Sequence, residues 1–295
     1  KCLLLRRKRR LVGKMENEKL ERIGTKALHE SNRIHDALGV EGLEEIEKNQ
    51  FGQTALKVDI EAEEVIISVL EKAGVPIKIV SEEHGTVDVG ENPIYLGILD
   101  GLDGTAAYKE ARGKGRYGTM FGVFSGLDPK YDDYIFSGII EHSTKRLFYA
   151  SKGKGSSLKD GGKIIPIHCS DTIKLNRGIR IHIDDVLEFN RKYFSEKLQG
   201  FNILHEIASC VHYIDVASGD ADLTLECTRK GNLEIAVSYG LIKEAGGVII
   251  DSDGRGLGQR KYLEFGQDTQ LPVITAATEQ LAKDLIAYIS KSKRA

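Results

Sequence analysis

Apolar residues recur along this chain with two different periods, and these periods predict where helices and strands lie. Spacing of three to four residues predicts helices over residues 16–38, 60–73, 184–198, 204–217, 233–244 and 278–290. Short apolar and β-branched runs predict strands over residues 77–80, 94–99, 117–124, 134–142, 145–150, 178–183, 221–226, 248–250 and 273–276. Because helices and strands alternate in blocks without a fixed repeat, the pattern predicts a layered α/β or α+β architecture.

One segment rich in lysine, glycine and serine, residues 151–162, interrupts this pattern and is the predicted boundary between two lobes. We expect an N-terminal lobe over residues 15–160 and a C-terminal lobe over residues 161–295. Residues 1–14 precede the first methionine and contain five consecutive arginines and lysines. We expect them to be a basic arm that is non-native or disordered, with an arm for nucleic acid or an anionic surface as the alternative.

The overall composition is that of an ordinary globular protein. The chain has 295 residues, 41% of them hydrophobic and 29% charged, and a formal net charge of −2. This near-neutral balance makes nucleic acid an unlikely default partner. The four cysteines form neither a CxxC pair nor a regular framework, so we expect reduced thiols and a cytoplasmic protein. Since no apolar run approaches the length of a membrane span, we expect no membrane partner.

The most informative acidic residues lie at the ends of predicted strands and the beginnings of predicted helices. Residues 100–105 read Asp-Gly-Leu-Asp-Gly-Thr and follow an apolar strand. Acids there, followed by free backbone N–H groups, can hold a hard cation and a phosphate side by side. Asp59, Glu82 and Glu234 occupy similar positions. Each of these alone is also explained as a helix cap, a dipole partner or a turn residue.

Taken together, the order of these acids resembles the inositol monophosphatase and fructose-1,6-bisphosphatase superfamily of metal-dependent phosphatases. The family patterns look like S-E-E or G-E-E, then D-P-x-D-G-T/S, then an acid ten residues before the first residue of E-A-G-G. The matching segments here are 81–83, 100–105, and Glu234 ahead of 244–247. The resemblance runs from about residue 16 to the C-terminus, and it implies the layered αβαβα sandwich of that family.

The resemblance also implies a role for each matching residue. It assigns metal binding to Glu82, Asp100, the Leu102 carbonyl, Asp103 and Glu234, phosphate binding to Gly104 and Thr105, and orientation of the attacking water to Thr105, Asp59 and Glu82. Oxygen ligands without histidine or cysteine indicate a hard ion, so we expect two or three Mg²⁺ ions, with Mn²⁺ possible. Weaker candidates for substrate contacts are Arg116, Tyr117, Arg229 and Lys230.

These features predict a Mg²⁺-dependent phosphomonoesterase that hydrolyses a small polyol or sugar phosphate with metal-activated water. Gly101 replaces the usual proline, which we expect to loosen the loop, and Leu233-Glu234 replaces Trp-Asp. The bisphosphatase branch is similar in using Glu there and in residues 118–122, so fructose-1,6-bisphosphatase stays open. A 3′(2′),5′-bisphosphate nucleotidase and a metal-binding pseudoenzyme scaffold stay open as well. The resemblance further implies a homodimer or homotetramer.

Overall fold

Three layers of helices and two β-sheets alternate in this chain, in the order helix, sheet, helix, sheet, helix. The computed structural model describes residues 2–111, 114–185, 188–267 and 269–291. The alternation of layers is the predicted αβαβα sandwich, so the fold class is confirmed.

Seven α-helices occur in the described residues. They are α1 (Cys2–Leu38), α2 (Lys57–Lys72), α3 (Thr105–Ala111), α4 (Glu188–Tyr193), α5 (Ser209–Ser218), α6 (Leu233–Glu244) and α7 (Glu279–Lys291). Residues 2–14 continue the backbone of α1, whereas the sequence predicted a separate arm. The expectation that this arm is non-native or disordered stays a prediction. Helices α4 and α5 are shorter than predicted, because an edge strand and loops occupy the residues between them.

A two-stranded hairpin and an eight-stranded sheet form the first half of the chain. The hairpin is β1 (Glu45–Lys48) and β2 (Thr54–Leu56), and the sheet contains β3 (Ile77–Ser81), β4 (Gly85–Val89), β5 (Tyr95–Asp103), β6 (Gly118–Ser125), β7 (Tyr134–Glu141), β8 (Arg146–Ser151), β9 (Ser156–Asp160) and β10 (Lys163–Ile167). Their spatial order is β10-β9-β8-β7-β6-β5-β3-β4. Only the β3–β5 pair among these is parallel in the described residues.

The larger sheet continues past the predicted lobe boundary at residue 160. Strands β9 and β10 pair there as an antiparallel hairpin, with Asp160 opposite Lys163. Gly161 and Gly162 form the turn between them at φ values of +53° and +85°, which glycine adopts without strain. The predicted boundary segment therefore contains β9 and the turns on either side of it, and the sheet ends at Ile167. The division into two lobes stays a prediction.

The second sheet has five strands with the order β12-β11-β13-β15-β14. They are β11 (Arg180–Ile183), β12 (Asn202–Leu204), β13 (Leu223–Cys227), β14 (Val248–Asp251) and β15 (Pro272–Ala276). Helices α1 and α2 cover the outer face of the larger sheet, and α4 and α7 cover the outer face of the smaller one.

Helices α5 and α6 form the central layer between the two sheets. The first ten residues of α6, Leu233 to Ile242, are all buried. A helix that is apolar on nearly every side is stable only when it is enclosed, and α6 contacts strands of both sheets. This enclosure brings the first turn of α6, which carries Glu234, to the end of β5.

Candidate metal and phosphate site

The end of β5 directs two carboxylates into one cleft, although they are three residues apart. Along a regular strand, residues separated by an odd number point to opposite faces of the sheet. The pairing with β6 slips here, because Asp100 lies opposite Met120 while Asp103 lies opposite Gly118. This β-bulge adds one residue to β5 and so brings both aspartates to the same side.

Gly101 lies within the bulge and is packed tightly against α2. A Cβ atom at this position would approach the Asp59 carbonyl oxygen and Glu63 Cγ to less than 3.0 Å. The Gly101 carbonyl also accepts a hydrogen bond of 2.7 Å from Thr119 Oγ1. Contacts on two sides therefore fix this loop. Our expectation that the missing proline loosens the loop was wrong. A side chain here would displace α2.

Three acidic side chains meet at this cleft from two distant parts of the chain. Oxygen atoms of Asp100, Asp103 and Glu234 lie within 4.8 Å of one another, and all three side chains are buried. The Leu102 amide donates to Asp100 Oδ1 at 3.0 Å, which fixes the turn between the aspartates. Glu82 lines the same cleft but lies outside this group of three.

Helix α2 supplies Asp59 and holds the turn that carries Glu82. The Asp59 carboxylate accepts the Leu56 N–H at 2.8 Å and so caps the helix, while its side chain lines the cleft. One turn later, fully buried Glu63 accepts the Ser81 hydroxyl at 2.6 Å and the Glu82 N–H at 3.1 Å. Glu63 was not predicted to have this role, because its only signal in the sequence is its spacing of four residues from Asp59.

The electrostatics of the cleft fit a hard cation. Burial raises the pKa of Asp59 well above its usual value, and repulsion from Glu83 and Glu82 adds to this effect. Burial also raises the pKa of Asp103, against the hydrogen bonds from Cys210. Buried carboxylates in a group are stabilised as anions by a cation, and a donor set made of oxygen suits Mg²⁺ or Mn²⁺.

The residues predicted to bind phosphate follow the second aspartate directly. Gly104 has a φ of +95°, and a Cβ there would meet the Cβ atoms of Ala208 and Tyr117 at 3.0 Å or less. Glycine is therefore required at this position. Thr105 begins α3, and its hydroxyl donates to the Leu102 carbonyl at 3.2 Å. Both Gly104 and Thr105 line the cleft, next to the three acids.

Arg229 lines the cleft as predicted, but its charge is already paired. Its Nη2 lies 3.1 Å from Asp184 Oδ2, 3.8 Å from Glu234 Oε1 and 3.3 Å from the Ser209 hydroxyl. Burial disfavours the charged guanidinium, yet Glu234 and Asp184 more than offset this and raise its pKa. The side chain of Lys230 lies outside the described part of the structure.

Arg116 and Tyr117 do not line the cleft, so their predicted substrate contacts are corrected. Arg116 Nε donates to Glu141 at 2.6 Å and its Nη2 to Asp215 at 2.8 Å. Tyr117 is buried and packs edge-on against Tyr108, with ring centroids 5.1 Å apart. A cation that follows a phosphate loop in sequence is here bound by carboxylates from β7 and α5.

Comparisons with known proteins agree with this geometry. The model of the inositol monophosphatase family matches residues 17–294. The chain belongs to this family. A bifunctional NADP phosphatase/NAD kinase of Methanococcus maripaludis is 29% identical over 257 residues, which cover 82% of this chain and 44% of that protein. A fructose-1,6-bisphosphatase/inositol-1-monophosphatase of Methanothermobacter thermautotrophicus is 28% identical over 239 residues, 75% of this chain and 80% of that protein.

A solved family structure confirms the fold independently. The inositol monophosphatase of Anabaena superposes with a TM-score of 0.71 at 17% identity, covering 93% of this chain and 96% of that one. The chain spans less than half the length of the NADP phosphatase/NAD kinase relative. In the described residues, no helix is both long and apolar enough to cross a membrane.

Proposed function

We propose that this member of the inositol monophosphatase family is a Mg²⁺-dependent phosphomonoesterase that hydrolyses a small polyol or sugar phosphate. The observation that carries the proposal is the approach of Asp100, Asp103 and Glu234 to within 4.8 Å, beside Gly104 and Thr105. A site that collects buried oxygen ligands next to the start of a helix is suited to phosphoryl transfer, which needs positioning and charge neutralisation.

The residues around the cleft have distinct proposed roles. Asp100, Asp103, Glu234, Glu82 and the Leu102 carbonyl would hold two or three Mg²⁺ ions, or Mn²⁺. Mg²⁺ bound there lowers the pKa of a water molecule and neutralises charge that develops on the phosphate and the leaving oxygen. The side chains of Asp59 and Thr105 orient the attacking water, with help from Glu82. The backbone N–H groups of residues 104 and 105 bind the phosphate oxygens.

The names of the relatives support a second candidate. Because one relative is a bifunctional NADP phosphatase/NAD kinase, a phosphate on a nucleotide ribose is a further possible substrate. A 3′(2′),5′-bisphosphate nucleotidase would likewise act on a phosphate attached to a nucleotide ribose. The Methanothermobacter relative keeps fructose-1,6-bisphosphatase open as another candidate function. A cytoplasmic homodimer or homotetramer stays a prediction.

Release of inorganic phosphate tests the proposal directly. Purified protein is incubated with inositol 1-phosphate, fructose 1,6-bisphosphate and 3′-phosphoadenosine 5′-phosphate, with Mg²⁺ or with chelator. We expect turnover only with Mg²⁺, and a loss of about a thousandfold in kcat for Asp100→Asn, since the variant removes stabilisation of transition-state charge. Absence of turnover by protein that binds Mg²⁺ and is fully folded would instead support the pseudoenzyme scaffold.

A further inference from the structure

A second, smaller cavity lies beside the cleft. The main cleft has a volume of about 290 Å³ and this side cavity about 180 Å³. Asp184 and Ile207 line both, so the two cavities adjoin at these residues. The side cavity adds an apolar wall, to which Ile183, Ile203 and Leu204 contribute. A substrate with its phosphate beside Thr105 can therefore extend its alcohol portion past Asp184.

The charge of this side cavity is negative in its described lining. Asp184, Asp185 and Glu206 line it, and no described lysine or arginine does. His212 also lines it, and burial lowers the pKa of His212 to about 3, so this imidazole is neutral near pH 7. His205 lines the cavity as well, so the cavity offers carboxylate acceptors and two imidazole rings, and no lysine or arginine among the described residues.

The two nearby arginines are already bound to acids. Arg116 lies 3.9 Å from Glu206, yet its guanidinium is hydrogen-bonded to Glu141 and Asp215. Arg229, the one arginine or lysine in the described lining of the main cleft, contacts Asp184 and Glu234. A second phosphate on the substrate would have to compete with these carboxylates for either guanidinium.

Asp184 offers a specific acceptor where the two cavities adjoin. It is only 5% exposed, and its Oδ2 makes an ion-pair contact of 3.1 Å with Arg229 but no hydrogen bond of good geometry among the described residues. A buried carboxylate oxygen gains from a hydroxyl donor that reaches it. It would repel a phosphate group at the same place.

We infer that the side cavity binds the leaving alcohol, that this alcohol is uncharged and carries hydroxyl groups, and that a second phosphate is excluded by Asp184, Asp185 and Glu206. The inference rests on the proposed function and narrows its substrate class. Because juxtaposed like charges repel, we expect kcat/KM for a substrate with a second phosphate to be lower by about tenfold or more.

Two substrate pairs that differ only by a second phosphate test this inference. They are fructose 1-phosphate against fructose 1,6-bisphosphate, and 3′-AMP against 3′-phosphoadenosine 5′-phosphate. In whichever pair is hydrolysed, kcat/KM of the monophosphate should exceed that of the bisphosphate by about tenfold or more at low salt. The ratio should shrink as salt screens the repulsion. Equal or faster hydrolysis of the bisphosphate would overturn the inference while leaving the proposed phosphatase function intact.

A charge-reversal variant assigns the effect to the cavity. Asp185→Lys should lower the ratio of kcat/KM for the monophosphate to kcat/KM for the bisphosphate by about tenfold, because it turns repulsion of the second phosphate into attraction. Asp171→Lys is the matched control, since Asp171 is exposed and lines neither cavity. It should leave the ratio unchanged. A ratio that is insensitive to Asp185→Lys, or that changes equally in both variants, would contradict the assignment.

Binding keeps the inference testable if nothing is hydrolysed. In that case the proposed function fails, and calorimetry with Ca²⁺ present compares the Kd of fructose 1-phosphate and fructose 1,6-bisphosphate. The monophosphate should bind more tightly in the wild-type protein, and Asp185→Lys should reduce the difference. Tighter binding of the bisphosphate to the wild-type protein would overturn the inference by itself.

Discussion

The two ends of the cleft are built in different ways. The metal end is assembled from the end of β5 and the beginnings of two helices, where Asp100, Asp59 and Glu234 are fixed by backbone geometry. The leaving-group end is assembled from loops and the edge strand β12, around Asp184 and Glu206. The proposed chemistry would therefore depend on regular elements, and the proposed choice of substrate on loops.

We expect that a substitution at the metal end can reduce activity without changing the selectivity between mono- and bisphosphate substrates. Gly101→Ala would push a Cβ toward the Asp59 carbonyl and Glu63, and so displace α2 from the bulge. Since a misplacement of about 1 Å can cost about a hundredfold, we expect kcat to fall by about that factor. The ratio between mono- and bisphosphate substrates should stay constant. Steady-state kinetics with both members of a pair provides the measurement.

Gly256→Ala is the matched control for this variant. A Cβ at Gly256 meets no atom within 4 Å and its φ is not positive, so activity and Tm should be unchanged. Full activity of Gly101→Ala would show that the close approach of α2 to β5 is not needed. A changed substrate ratio would show that the two ends are not independent.

A smaller effect should come from the buried histidines beneath the metal end. His35 stacks on His142 at a centroid distance of 3.4 Å, and His142 hydrogen-bonds the Thr119 hydroxyl that supports Gly101. Burial lowers the pKa of His35 to about 3. The unfolded chain therefore binds a proton near pH 6.5 that the folded chain does not, so stability falls as pH drops below that value.

Between pH 7 and pH 5 this difference is about 2 kcal/mol for His35 alone. Denaturant unfolding of wild type and His35→Phe at both pH values checks it. The free energy of unfolding of the variant should lose about 2 kcal/mol less on acidification. Exposed His205 provides the control variant His205→Gln, which should follow the wild-type protein. Equal acid sensitivity of wild type and His35→Phe would show that the His35 ring is not buried in its neutral form.

The sequence led us to expect Asp100, Asp103 and Glu234 in one site, through the resemblance to the family, and the structure brings these three side chains together. Carboxylates at strand ends and helix starts keep short sequence relations to apolar runs, and α6 was predicted with its observed bounds, Leu233–Glu244. The bulge itself was not predictable, because an extra residue in β5 becomes visible only against its partner β6. Nor was the packing of Gly101 against α2, which depends on residues about forty positions away.

The leaving-group end was predicted poorly, because its residues have no regular period. Apolar spacing predicted helices over 184–198 and 204–217, but residues 202–204 form an edge strand and α5 begins only at Ser209. The partners of Arg116 come from β7 and from α5, 99 residues away in the case of Asp215. Such pairing leaves no local signal in the sequence, so Arg116 was predicted as a substrate contact, whereas the structure pairs it with Glu141 and Asp215.

We propose that Asp100, Asp103 and Glu234 together bind a divalent cation at the end of β5. Anomalous X-ray scattering from crystals grown with Mn²⁺ and inorganic phosphate is the decisive measurement. We expect a manganese peak coordinated by oxygens of these three residues, with phosphate against residues 104 and 105, and its loss in Asp100→Asn. Well-ordered crystals with no manganese between these carboxylates, or with manganese bound elsewhere only, would contradict it.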